Sequence, residues 1–259
     1  MSAKVLYELI DGVGVITLNR PEVHNAMDDE AAALYKEVLD AALEDDLVRA
    51  VLLQGAGKSF CSGRDTTMLG HRAKDESDYH FVLRHQQKRL AVIDSPKPFI
   101  AALKGAAIGG GCETALACDI RISDTTLKMG LPEINYGILP DTGGTQLMTA
   151  LIGPSRTKYM VMTGNRIDAQ TALEWGAVDF VVAPEELDAK ALEIAKGIAA
   201  KPPIALAMAK TMIDQGHAGA VRNGIAQELL AQTALFKTED YTEARAALRE
   251  KRTPIYRGK

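Results

Sequence analysis

Glu113, Glu133 and Asp141 are the residues whose types and spacing promise chemistry: three carboxylic acids, 20 and eight residues apart, with glycines close to each. Gly109, Gly110 and Gly111 come just before Glu113, and a glycine run that opens a helix leaves backbone N–H groups unpaired and approachable by a ligand. Such groups carry partial positive charge and stabilise a negative oxygen, on a phosphate or on an enolate. A plainer role for Glu113 stands beside this one, since an acid in a first helical turn complements the helix dipole without doing chemistry.

These side chains need strands and helices to hold them. Phe99 to Leu103, entered through Pro96 and Pro98, reads as a buried strand that ends at Lys104-Gly105, and Cys112 to Cys118 reads as a short apolar helix. Ile120 to Ser123 and Leu127 to Met129 are strand-like and lead into LPEINYG at 131–137, where Glu133 follows a proline and precedes a glycine turn. PDTGGTQ at 140–146 is a second helix start, with Asp141 just ahead of Gly143 and Gly144. Towards the N-terminus, Lys4 to Ile10 and Val13 to Leu18 alternate as two strands joined at Asp11-Gly12. Asp28 to Glu44 repeats its apolar residues at helical spacing, and Ala50 to Gln54 is a buried strand. Glu76 to Ile93 is a charge-rich helix, expected to be solvated or to contact another subunit.

Beyond Gly144 the pattern turns helical. Gly143 to Ile152, Pro154 to Thr163 and Asp168 to Trp175 are successive short helices, the last ended by Gly176, and Val178 to Val182 is a final strand. Glu185 to Ala200, Pro202 to Gln215, Ala218 to Phe236 and Thr238 to Arg252 are four further helices. The visible boundary falls near residue 200, between an α/β core (1–200) and a helical end (201–259).

Composition narrows the function classes. A chain of 259 residues, 47% of them hydrophobic, buries a substantial core. A net charge of −4 lacks the basic face of a nucleic-acid binder. Cys61, Cys112 and Cys118 have no CxxC spacing and read as reduced, buried thiols, which suits a cytoplasmic protein. No apolar run is long enough to span a membrane, and the N-terminus lacks the pattern of a signal peptide. His71, His80 and His85 do not have zinc-site spacing, so no metal is expected. The loop GAGKSFCSGRD at 55–65 fits neither phosphate-binding glycine motif, because Leu52 and Phe60 stand where each motif requires glycine. It remains a glycine turn after a strand, able to present the N–H of Arg64.

GGGCE at 109–113, LPEINYG at 131–137 and PDTGGTQ at 140–146 together resemble the crotonase superfamily, the enoyl-CoA hydratase/isomerase family. TLNRPEVHNAM at 17–27, KSFCSGRD at 58–65, MTGNRIDAQTALEWGAVDFVV at 162–182 and EKRTPIYRGK at 250–259 are similar to family blocks in the same order. The resemblance implies an α/β spiral of ββα units followed by a helical trimerisation region. The chain would then act as a homotrimer or a dimer of trimers on an acyl-CoA substrate, with no cofactor beyond the coenzyme A of that substrate. By the same resemblance, the backbone N–H groups of Arg64 and Gly110 hold the thioester oxygen, Glu113 activates water and Glu133 delivers a proton. Val23, His24, Ala26, Ser62, Gly63, Asp65, Thr66, Gly109 and Lys251 fall at substrate- or CoA-binding positions. Lys251 has Leu248 three residues earlier where relatives often carry an aromatic, and its charge also suits a helix C-terminus.

Asp141 occupies a position where some isomerases of the superfamily carry a catalytic aspartate. It moves a proton in isomerisation, contacts a polar substrate, or caps the helix starting at Gly143. The expected activity is enoyl-CoA hydration. Double-bond isomerisation is the alternative, and a noncatalytic acyl-CoA- or protein-binding homologue is a third reading, disfavoured by the carboxyl pair.

Overall fold

The computed structural model describes residues 3–72 and 75–259. Nine strands occur among them: β1 (Val5–Ile10), β2 (Val13–Leu18), β3 (Ala50–Gly55), β4 (Phe99–Leu103), β5 (Ala106–Ile108), β6 (Ile120–Asp124), β7 (Lys128–Gly130), β8 (Arg166–Asp168) and β9 (Phe180–Val182). The helices are α1 (Asp29–Glu44), α2 (Asp78–Ile93), α3 (Gly110–Ala117), α4 (Gly144–Thr163), α5 (Ala169–Trp175), α6 (Leu187–Ala199), α7 (Pro203–Leu235) and α8 (Glu239–Glu250).

The hairpin β1–β2 closes through Asp11 (φ 50°) and Gly12 (φ 81°), both left-handed, which is the twist a two-residue antiparallel turn requires. From β2 onward the main sheet is parallel, in the order β1-β2-β3-β4-β6-β9. Such a sheet must be covered on both sides. One face, with Ile16, Leu18, Val51, Leu53, Phe99, Ala101 and Leu103, joins a core that includes Leu39 of α1, Leu116 of α3 and Met148 of α4. The other face, with Val13, Val15, Leu52, Ile100 and Ile122, packs on Leu187, Ala191, Ala195 and Ala199 of α6. Asp28 caps α1 by accepting from Ala31 N–H at 2.8 Å.

A second, three-stranded sheet, β5-β7-β8, lies beside the first. All three of its strands have only three residues each, and in β5 and β8 no alternating pattern registers in the sequence. The pattern also predicts two helices over 202–236, and the structure has one, α7, 33 residues long. Each glycine there costs only about 1 kcal/mol within a helix, which packing against α2 and α4 offsets. In α4 the expected break is present at Gly153 (φ 79°, ψ 164°), just ahead of Pro154. The helix predicted over 76–93 is not a solvated element. Phe81, Val82, Gln86, Lys88 and Val92 of α2 are buried, and the helix packs against α3 and α7.

Candidate active site

β5 ends at Ile108, and Gly109 turns the chain into α3 with φ 54°. The amide of Gly110 therefore lies in the first turn of α3 and has no acceptor among the described residues. Opposite it runs the loop after β3. Asn25 (φ 56°, buried) staples that loop, its amide donating to the carbonyls of Ala56 (2.9 Å), Ser59 (2.7 Å) and Phe60 (3.2 Å). Single-residue bridges then pair Met27 with Arg64 and Cys61 with Ala107, which leaves the Arg64 N–H also without an acceptor among the described residues. Gly63 (φ 91°) lets the two segments meet. A Cβ there would stand 2.7 Å from the Ile108 carbonyl oxygen and 3.3 Å from the Gly110 nitrogen.

The acids face the same cavity, about 180 Å³, as this pair of amides. Glu113 is buried, and its carboxylate accepts from Thr142 N–H (2.8 Å), Thr142 Oγ–H (2.6 Å) and Gly144 N–H (3.0 Å). Its side chain is thus locked onto the first turn of α4. Gly144 is needed for this contact, since a Cβ there would be 2.8 Å from Glu113 Oε1. Glu133, at the head of a 3-10 turn over Glu133–Tyr136, lies over Gly109, where a Cβ would be 2.8 Å from its Oε1. Its Oε2 is buried and has no partner among the described residues. Burial, then the charges of Glu113 and Asp141, push the Glu133 carboxyl well above the ordinary carboxylic range. Asp141 is raised in the same direction by burial and then by Glu113 and Glu228, and its side chain bonds to Gln232.

Asp141 does not cap α4. The first-turn amides of that helix donate to Glu113 and to Glu228 of α7, which accepts from Gly143 N–H (2.7 Å), Thr145 N–H (3.1 Å) and Thr145 Oγ–H. Two glutamates arriving from other parts of the chain satisfy these donors, which removes capping from the three roles open to Asp141. Burial, followed by the charge of Glu113, raises Glu228 to about 7.

Gly63, Thr66 and Gly109 also line the cavity. Val23, His24, Ala26, Ser62 and Asp65 are not brought into it. They knit the wall instead: Ser62 N–H donates to the His24 carbonyl, His24 Nδ1 lies 2.9 Å from Ser59 Oγ, Ala26 O accepts from Arg20, and Asp65 pairs with Arg20 at 3.2 Å. Lys251 is exposed at the left-handed end of α8 (φ 54°), outside the cavity lining. Cys61, Cys112 and Cys118 are buried and free. No group of metal-ligating side chains occurs among the described residues, and among them no helix is long and apolar enough to cross a membrane.

Sequence reasoning missed Glu228 and Gln232, the two polar side chains that α7 sends behind the site, and Thr142, which fixes Glu113. Thr142 lies inside the PDTGGTQ motif, but Glu228 sits in an ordinary amphipathic stretch with no local signal.

The family model described as enoyl-CoA hydratase/isomerase matches residues 8–259. The short-chain-enoyl-CoA hydratase of Clostridium acetobutylicum is 37% identical over 250 residues, covering 96% of this chain and 95% of that one. The crotonyl-CoA hydratase of Syntrophomonas wolfei is 33% identical over 249 residues, covering 96% and 95%. The crystal structure of an enoyl-CoA hydratase/isomerase from Xanthobacter autotrophicus Py2 superposes with a TM-score of 0.87 at 31% identity, covering 96% of this chain and 94% of that one.

Proposed function

The chain belongs to the enoyl-CoA hydratase/isomerase family, and we propose that it adds water across the α,β double bond of an enoyl-CoA thioester by means of Glu113 and Glu133. The thioester oxygen lies between the N–H groups of Arg64 and Gly110. Glu113, oriented by its three donors, takes a proton from water as that water attacks Cβ. Electrons move onto the thioester oxygen, and the two amides hold the resulting enolate; losing one such donor typically costs about 3–4 kcal/mol of transition-state stabilisation. Glu133, kept neutral by burial and by its acidic neighbours, gives its proton to Cα. The product leaves and proton exchange with solvent resets both acids.

One observation carries this reading: a buried carboxyl oxygen of Glu133 without a partner faces the cavity that Glu113 and two free amides share. The test is hydration of crotonyl-CoA by wild type, Glu113→Gln and Glu133→Gln. Each variant is expected to lower kcat by about 10²–10⁴-fold. Rates within threefold of wild type in both would sink the mechanism.

The placement of Asp141 in the same cavity favours a second activity, double-bond isomerisation with Asp141 or Glu133 moving the proton. Conversion of 3-enoyl-CoA that is lost only in Asp141→Asn would establish it. Exposed Ile204, Met208 and Met212 on one side of α7 support assembly as a homotrimer, and the exposed charge of Lys251 supports contact with the CoA phosphates.

A further inference from the structure

The cavity lining carries both acids and cations. Burial, followed by the charges of other acids with Glu113 foremost, raises Glu133 and Asp141. Lys88, on the cavity wall formed by α2, is lowered by burial first and then by Arg84, Arg89 and Arg64, with Asp29 acting the other way. Most of these cations are spoken for. Arg64 pairs with Asp29 at 3.0 Å, Arg84 with Glu76 at 2.9 Å and Arg72 with Asp78 at 3.0 Å.

Lys88 differs. It is 7% exposed, yet it has no ion pair and no hydrogen bond among the described residues. A buried ammonium without a partner is costly unless something else supplies the counter-charge. Burial and the neighbouring cations lower it to about 8, so it is still charged at neutral pH, whereas His85 beside it, lowered to about 3, is neutral. Two further donors in the same wall lack partners. Tyr35 Oη is buried and unpaired in a residue only 3% exposed, and Arg89 Nε is buried and unpaired while its Nη2 donates to the Gly110 carbonyl at 2.7 Å. Tyr35, Lys88 and Arg89 all line this cavity, and these three donors, two of them cationic, have no receiver among the described residues.

The geometry points to an anion subsite formed by Lys88, Arg89 and Tyr35, which takes a free carboxylate carried on the acyl group of the thioester. This rests on the acyl-CoA reading given above and narrows the substrate to the CoA thioester of a dicarboxylic acid. Arg89 ties the subsite to the thioester end through its bond to Gly110. The acids elsewhere in the lining, Glu133 and Asp141, would repel the carboxylate and so orient the acyl chain.

Binding of glutaryl-CoA and pentanoyl-CoA, which differ only in a terminal carboxylate for a methyl, tests this by calorimetry without any turnover. Wild type is expected to prefer glutaryl-CoA by about tenfold or more, the usual gain for a hydrogen bond to a charged group. Lys88→Met should bring the ratio of the two affinities to within threefold, and Tyr35→Phe should lower it by a smaller factor. Equal binding of both thioesters by wild type, or a ratio unmoved in both variants, overturns the subsite. The two readings fail separately: a protein that hydrates crotonyl-CoA but shows no preference for glutaryl-CoA loses only the subsite. A protein with the preference but no hydration loses only the hydratase mechanism.

Discussion

Replacing Glu228 by glutamine probes the buried acid cluster behind the active site. The native carboxyl is raised from 4.5 to about 7, by burial first and the charge of Glu113 second. At 1.36 kcal/mol for each pKa unit, that gap is worth about 3 kcal/mol of stability. The sign follows from linkage. Between the two values the native state keeps a proton that the unfolded chain releases, so the stabilisation is present below pH 4.5 and is lost as pH rises through about 7. Glutamine has no such transition. Urea unfolding of wild type and Glu228→Gln, followed by circular dichroism at one protein concentration from pH 4.5 to 8, gives the difference in unfolding free energy at each pH. That difference should fall by about 3 kcal/mol for wild type relative to the variant across the range. Losses common to all pH values, such as a weaker cap on α4, cancel. A flat difference, within about 1 kcal/mol, would mean that the amides of Gly143 and Thr145 stabilise an ionised Glu228 throughout, and the account of a strained acid cluster would be wrong.

Asp141→Asn removes one of the charges that raise Glu133, so the alkaline limb of kcat/KM for crotonyl-CoA should move to lower pH; an unmoved limb would detach the two acids. Gly144→Ala puts a Cβ 2.6 Å from the Pro140 side chain and 2.8 Å from Glu113 Oε1, and the displaced carboxylate should cost about 10²-fold in kcat with a smaller change in KM. Asn25→Ala strips two buried carbonyls and one half-buried carbonyl of their donor and the Arg20 N–H of its acceptor, and thermal or urea melts should register a loss of about 2–3 kcal/mol.

What the sequence makes legible here is local. The hairpin turn at Asp11-Gly12 and the strand Phe99–Leu103 announce themselves through glycine, proline and apolar periodicity, and the structure has them at those residues. The cluster formed by Arg64, Gly110, Glu113, Glu133 and Asp141 is legible because family motifs mark it, and the structure brings all five to one cavity. Contacts made across long stretches of chain leave no such mark. Glu228 reaches Gly143 from 85 residues away, and Gln86 bonds the carbonyls of Asp141 and Ile225 from α2, so neither partner predicts the other. Charge composition misleads for the same reason. The many cations of α2 suggest a solvated face, yet Lys88 is buried, because α2 is covered by α3 and α7 and by the cavity wall. The sign of a helix face is local, whereas its burial is decided by what folds over it.

The two glycine-rich helix starts illustrate why location in the fold, and not motif alone, assigns the chemistry. Both α3 and α4 begin at glycine, and either N-terminus is electrostatically suited to an enolate. At α4 the donors are already used: Thr142 and Gly144 donate to Glu113, while Gly143 and Thr145 donate to Glu228. A substrate oxygen placed there would have to displace a buried carboxylate and leave that charge without hydrogen bonds, at a cost above the gain from the new contact. At α3 the Gly110 amide is free and the Arg64 amide lies across the narrow gap at Gly63. In the proposed mechanism the negative oxygen therefore sits at α3, and α4 fixes the glutamate assigned to activate water. On that mechanism the dipole of one helix would stabilise the charge that develops on substrate, and that of the other would hold the charge of the base.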